Sequence, residues 1–191
     1  MSLPPWLTST LASDAADGEG VMSVVVRALR PGRTIAAIAS TLAVAEGDNL
    51  HFNDAVTRGA AGGPVLVIGG SPNAQRAVMG GILATAAARA GFTAVVTDGL
   101  VRDSAEIADL PLAVWCRGTT PIAATKSGPG GAGHLITCAG VVVAPGDAVI
   151  ADDDGVVVWP AARIPELTEK ARQRLESDTR RLARIRASEA P

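Results

Sequence analysis

The chain has 191 residues, 48% hydrophobic and 19% charged, enough for one domain with a sizeable core and too apolar for a disordered chain. Its 17 Lys and Arg stand against 19 Asp and Glu, a net charge of -2, and aromatic residues make up 3% with no tyrosine. That balance excludes a global basic field for nucleic acid or an anionic membrane, and so few aromatics argue against a base-stacking surface. Cys116 and Cys138 lack C-x-x-C spacing and read as small buried hydrophobes rather than a disulfide or metal framework. No basic leader precedes an apolar stretch near Met1, and no window approaches the ~18 apolar residues of a membrane span. The expectation is a cytoplasmic protein with no membrane partner.

In chain order, residues 5–20 predict a short helix ending in the turn Asp17-Gly18-Glu19-Gly20, and 34–44 a partly β-branched strand. Gly47-Asp48-Asn49 reads as a turn, followed by a short helix through Val56. The apolar run 64–68, bounded by glycines, has the pattern of a strand buried on both faces. Residues 74–90 are Ala-rich and predict a helix stopped by Gly91. Gly80-Gly81 inside it would cost roughly 1 kcal/mol each relative to alanine, which argues that the helix begins there instead. Residues 94–97 predict a second buried strand turned by Asp98-Gly99, about 104–109 a short helix, and 112–116 a third strand. This alternation implies a parallel portion with right-handed crossovers.

Past residue 117 the character changes. A Gly/Pro-rich loop runs over 118–133, and short strands are expected at 135–138, 141–143, 148–151 and 155–159, an antiparallel half. Residues 163–186 predict a charged helix with Leu167, Ala171, Leu175, Leu182 and Ile185 near one face. The chain therefore divides into a domain over 1–162 and a docking helix or subunit arm over 163–191.

Several motifs are weak. Gly128-Pro129-Gly130-Gly131-Ala132-Gly133 matches G-x-G-x-x-G, but a strand rather than a helix is expected after it, so a loop is the better reading. Asp152-Asp153-Asp154-Gly155 lacks Ca²⁺-loop spacing and suits a tight turn. His51 and His134 have no neighbouring ligand spacing.

The segment after the second buried strand carries more. Crevices beyond the carboxyl ends of strands are where open α/β sheets bind ligands. Arg102 offers a planar fork for a carboxylate, and Asp103 and Glu106, three apart, share one face of a helical turn where they could hold a hard cation. The competing reading is structural: Asp103 as N-cap with Glu106 three residues on is a capping box. Gly80-Gly81 as a bare helix start would leave the amides of Ile82 and Leu83 free for an anion. An anion there, a guanidinium and a cation make a site for a 2-oxo acid.

Gly81, twenty intervening residues, Arg102-Asp103, two more and Glu106 resemble the G-x20-R-D-x2-E/D pattern of the class II pyruvate aldolases of the RraA-like family, which cleave 4-hydroxy-4-methyl-2-oxoglutarate and 4-carboxy-4-hydroxy-2-oxoadipate. Gly47-Asp48-Asn49, Gly118-Thr119-Thr120-Pro121, Lys126-Ser127-Gly128-Pro129-Gly130, Cys138-Ala139-Gly140 and the stretch Pro145-Gly146-Asp147 through Ala151-Asp152-Asp153-Asp154-Gly155-Val156 fit the same resemblance, which covers about residues 6–175. It implies an α/β fold of the swivelling β/β/α type, a single domain with a mixed sheet, flanking helices and a C-terminal helix. It implies a homotrimer or a pair of trimers with the site at a subunit boundary.

It further implies Mg²⁺ or Mn²⁺ on Asp103, to which the spacing adds Glu106, and a substrate carboxylate held by Arg102 and by amides near Ile82 and Leu83 in the Gly80-Gly81 turn. Arg102 and Asp103 would be the catalytic pair. Aldol cleavage would yield pyruvate and a second oxo acid, with oxaloacetate decarboxylation as a side activity. The family's other branch is a non-catalytic regulator that inhibits a ribonuclease; its members lack the Asp after the Arg, which is present here. A third reading is a member that binds a metabolite without turning it over. One departure is Gly81 itself, where members usually carry an acidic residue that would order water at the cation. Its loss implies weak aldol cleavage relative to decarboxylation.

Overall fold

A computed structural model describes residues 3–188; Met1, Ser2 and the last three residues of the expected 163–191 arm lie outside the described residues. Four apolar runs form the parallel centre of the main sheet: β2 (Ile35–Ala43), β3 (Val65–Gly69), β5 (Ala94–Thr97) and β7 (Ala113–Cys116). β3, β5 and β7 are buried at every position, as expected of strands covered on both faces. β1 (Arg27–Ala28) closes one edge against β7. At the other edge β12 (Ala148–Ala151) and β13 (Val156–Trp159) add antiparallel, giving the order β1-β7-β5-β3-β2-β12-β13, with β9 (Gly131–Ala132) paired to the end of β2. The architecture is the expected mixed sheet, curled, with flanking helices and a C-terminal helix.

One face of this sheet packs on α2 (Phe52–Arg58), α3 (Gly81–Arg89) and α4 (Ser104–Ala108) through Phe52, Ala84, Ala87 and Ile107. The other is covered by the hairpin of β10 (Ile136–Cys138) and β11 (Val141–Val143). Alanine on α3 lets the helix backbone lie close to the sheet. Cys116 and Cys138 are free and buried, and burial pushes both thiols up, so they serve as small hydrophobes. Trp159, fully buried, seats α1 (Ser9–Ala15) and α5 (Ile164–Ser188) on β12 and β13, and its indole N–H donates to the Ala12 carbonyl at 3.2 Å.

Two expectations need correction, and the stripe of the last helix is covered only in part. The helix expected over 5–20 is confined to α1. Residues 74–90 are not one helix: β4 (Ala77–Met79) precedes α3, which begins at Gly81 with Gly80 as its N-cap. The alternative start at Gly80-Gly81 is therefore the one found. The predicted stripe on the last helix is buried only at its near end. Ile164, Leu167 and Ala171 join the α1 core, whereas Leu182 and Ile185 stay exposed. Asp152 and Asp153 are spent on structure: Asp152 accepts from the Ser9 amide at 2.8 Å and Asp153 from the Gly32 amide at 2.9 Å. β9 lies within Gly128–Gly133 and β10 follows it, with no helix, so the G-x-G-x-x-G match is a loop and strand.

Beyond the carboxyl ends of β3, β5 and β7 lies a second, smaller parallel sheet. β4, β6 (Leu100–Val101) and β8 (Gly118–Thr119) pair in the order β4-β6-β8, each continuing the chain from the larger strand before it. Asp98, buried at the bend between β5 and β6, ties the layers together by accepting from the amides of Ser71 at 3.1 Å and Ala139 at 3.3 Å. Burial raises its carboxyl pKa, and these amides oppose the rise. The small sheet carries α3 and α4 on its strand ends and presents the site residues at its rim.

Candidate active site

Arg102 and Asp103 leave the end of β6, and the Arg102 amide donates to the Met79 carbonyl of β4 at 3.0 Å. This pairing sets them beside the first turn of α3. Asp103 adopts φ 57° and ψ 41°, the left-handed region, uncommon for a residue with a side chain and costing about 1–2 kcal/mol. That geometry decides between the two readings of the segment. Asp103 occupies the N-cap position of α4, yet its side chain caps nothing there. Its carboxylate turns away and accepts from the Gly81 amide at 3.0 Å, with Arg102 Nε at 3.4 Å. The capping box is therefore not formed, and the local strain is spent on aiming a carboxylate at the start of α3.

α3 starts without a side-chain cap. Asp103 takes the Gly81 amide, while the amides of Ile82 and Leu83 find no acceptor among the described residues. Free amides at the positive end of a helix favour an anion. The two glycines leave this turn open to the side chains of the opposite loop. A Cβ on Gly80 would lie 2.6 Å from Asp103 Oδ2 and 2.9 Å from Arg102 Cγ, whereas one on Gly81 would meet only the flexible carboxylate end of Glu106 closely. Asp103 and Glu106 thus both reach the same bare turn from α4. They offer two hard oxygen donors, and no group of three His, Cys, Asp or Glu able to hold a metal occurs among the described residues. This donor set fits a small hard ion such as Mg²⁺ or Mn²⁺, which takes one or two carboxylates and keeps waters.

Arg102 and Asp103 stand between two depressions. The first, about 330 Å³, is walled by Gly80, Ile82 and Leu83 on one side and by Asn49, Asn53 and Lys126 on the other. The second, about 450 Å³, is more open and is lined by Glu106, Thr119 and Thr120. Every sequence-predicted site residue is therefore gathered at one place: Gly80, Gly81, Ile82, Leu83, Arg102, Asp103 and Glu106.

Asn49 and Lys126 were not foreseen as site residues; the only signal was their presence in short stretches of the family resemblance. Their wall depends on Asp48, a buried carboxylate. Burial alone would raise its pKa, but the amides of Leu50, Ser127 and Gly128 and the Thr125 hydroxyl all donate to it and hold it at about 2. Asp48 thereby pins the 125–128 loop, and Lys126 with it, across the cleft from Arg102.

A sequence model of the RraA-like family, described as Aldolase/RraA, matches residues 9–158. A protein of Halalkalibacterium halodurans, provisionally named as a 4-hydroxy-4-methyl-2-oxoglutarate aldolase, is 33% identical over 92% of this chain and 83% of its own length. Among solved structures, Streptomyces coelicolor RraAS2, described as an unusual member of the RNase ES inhibitor RraA protein family, is similar with a TM-score of 0.80 at 26% identity, over 94% of this chain and 93% of that one. The RNA-processing inhibitor RraA of Thermus thermophilus is similar with a TM-score of 0.69 at 30% identity, over 81% of this chain and 93% of that one.

Proposed function

The chain belongs to the RraA-like aldolase family, and we propose that it acts as a divalent-metal-dependent lyase, cleaving a 4-hydroxy-2-oxo di- or tricarboxylic acid to pyruvate and a second oxo acid. The observation that supports this most directly is the left-handed Asp103, held beside Arg102 at the bare start of α3 rather than capping its own helix. The substrate carboxylate is received by the Ile82 and Leu83 amides and by the fork of Arg102. Asp103 and Glu106 would hold Mg²⁺ or Mn²⁺, which would supply Lewis-acid stabilisation of the developing enolate when bound. Arg102 adds a fixed positive charge to the same atoms.

Cleavage breaks the C3–C4 bond and passes its electron pair into the pyruvate enolate, while the C4 hydroxyl loses its proton as C4 becomes a carbonyl. Asp103 and Glu106 are the carboxylates at this turn able to receive that proton. With glycine at 81, the first turn of α3 adds no third one. Oxaloacetate decarboxylation yields the same enolate without deprotonating a hydroxyl, so it depends less on such a base.

The test is pyruvate release from a panel of 4-hydroxy-2-oxo acids and from oxaloacetate, with Mg²⁺ and with chelator. Metal-dependent release is expected, with a high ratio of decarboxylase to aldolase activity. Full activity in chelator overturns the metal-dependent mechanism. No release from any substrate favours the second reading, a regulator that binds a ribonuclease, which the likeness to the two RraA inhibitors supports.

The reading includes assembly into a trimer or hexamer. Ile82 at the cleft mouth is 82% exposed, and Leu182 and Ile185 on α5 are 51% and 45% exposed, apolar surface suited to cover by a neighbouring subunit. Light scattering at micromolar concentration is expected to return three or six copies, and a monomer counts against it.

A further inference from the structure

Asn49 stands on a fixed backbone: its amide donates to the Thr125 carbonyl at 3.1 Å, and its own carbonyl accepts from the Phe52 amide. Its side-chain Nδ2 donates to the Val78 carbonyl at 3.2 Å. A carbonyl only accepts, so this bond fixes which way the amide faces and turns Oδ1 the other way. Oδ1 is buried and finds no donor among the described residues, although Asn49 lines the cleft that holds Arg102, Asp103 and the free amides of α3. A buried acceptor left without a donor is costly, and the cost is recovered when a ligand supplies one. The anion-binding groups in this cleft are donors too: the amides, the guanidinium and the Lys126 ammonium. A carboxylate or a ketone therefore satisfies them but not Asn49 Oδ1, which requires an O–H or N–H.

We propose that Asn49 is a specificity-determining residue whose Oδ1 accepts a hydrogen bond from a hydroxyl of the bound acid, so that the cleft selects hydroxylated acids over their deoxy analogues. The carbon skeleton of that acid rests on the lyase reading above, which makes the hydroxyl the one on C4. A site built to hydrogen-bond a hydroxyl rejects the analogue that lacks it far more strongly than an apolar pocket rejects a missing methylene, because the site's own polar atom is then left unpaired. Asn49 takes no proton in this account; it orients the hydroxyl whose proton leaves in cleavage.

The test uses two five-carbon diacids that cannot be cleaved because neither carries a 2-oxo group: 2-hydroxyglutarate, which places a hydroxyl where the C4 hydroxyl would sit, and glutarate, which lacks it. Calorimetric titration of the full chain with Mg²⁺ is expected to show one enantiomer of 2-hydroxyglutarate binding at least tenfold more tightly than glutarate. Asn49→Leu, similar in volume, is expected to bring the ratio within twofold. Equal affinities in the parent, or a preference surviving in Asn49→Leu, overturn the proposal. If Asn49→Leu does not fold, Asn49→Ala carries the same comparison, because the parent ratio by itself also contains the chelation of Mg²⁺ by a 2-hydroxy acid. The lyase reading fails separately: a preference for 2-hydroxyglutarate without pyruvate release from 4-hydroxy-2-oxoglutarate keeps the role of Asn49 and removes the reaction.

Discussion

Asp103→Asn is expected to lower kcat/KM for pyruvate release by about 10²–10³-fold while leaving thermal stability nearly unchanged. The two effects separate because of the backbone. At φ 57° and ψ 41° most side chains are strained, but asparagine tolerates the left-handed region as well as aspartate does. Its amide oxygen still accepts from the Gly81 N–H, so the link between α4 and the start of α3 is retained. What disappears is the negative charge, and with it a hard anionic oxygen for the cation and an acceptor for a proton. Asp103→Ala would blur the result by adding backbone strain to the loss of charge. The measurement is steady-state pyruvate release beside a melting curve. A variant with near-parental activity removes Asp103 from the mechanism, and one that unfolds shows that the carboxylate serves the fold instead.

Arg102 carries the second large effect. Its guanidinium lies against Asp103 with Nε 3.4 Å from Oδ2, its main chain is fixed by the Met79 carbonyl, and its side chain lines the depressions on both sides. Arg102→Met keeps an unbranched chain of similar reach and removes the charge; kcat/KM is expected to fall by about 10²–10³-fold. Arg102→Lys keeps the charge but loses the planar two-point contact with a carboxylate, and a loss of at least about tenfold is expected. The ordering is the informative part. Met well below Lys, and Lys below the parent, assigns both a charge role and a geometric one. A near-parental Lys variant shows that only the charge matters, and a near-parental Met variant places the substrate carboxylate elsewhere. The Arg102–Asp103 pair is partly exposed, so it contributes little to stability and its removal is expected to leave the fold intact.

The central strands were legible in the sequence because each is a short apolar run between glycine or turn residues, a pattern that only a strand buried on both faces requires. The start of α3 was legible too, since two adjacent glycines are too costly inside a helix to be there without a reason. Arg102, Asp103 and Glu106 stood out because they follow such a strand directly. The small sheet was not legible. β4, β6 and β8 are two or three residues long, too short for any period to show, and they exist because the chain leaving β3, β5 and β7 remains side by side for one further pairing. That extra layer, not the main sheet, carries the site.

The role of Asp103 was undecided in one dimension, because a capping box and a left-handed carboxylate use the same residues at the same spacing. Only the backbone dihedral and the Gly81 contact separate them. Nor could Asn49 and Lys126 be placed. They lie 53 and 24 residues from Arg102 along the chain, and what brings them to it is Asp48, whose buried carboxylate gathers the amides of a distant loop. Local pattern records which residues prefer burial and where a helix can begin. It does not record which loop a buried carboxylate will hold, because that choice is made by hydrogen bonds formed only after the sheet has closed.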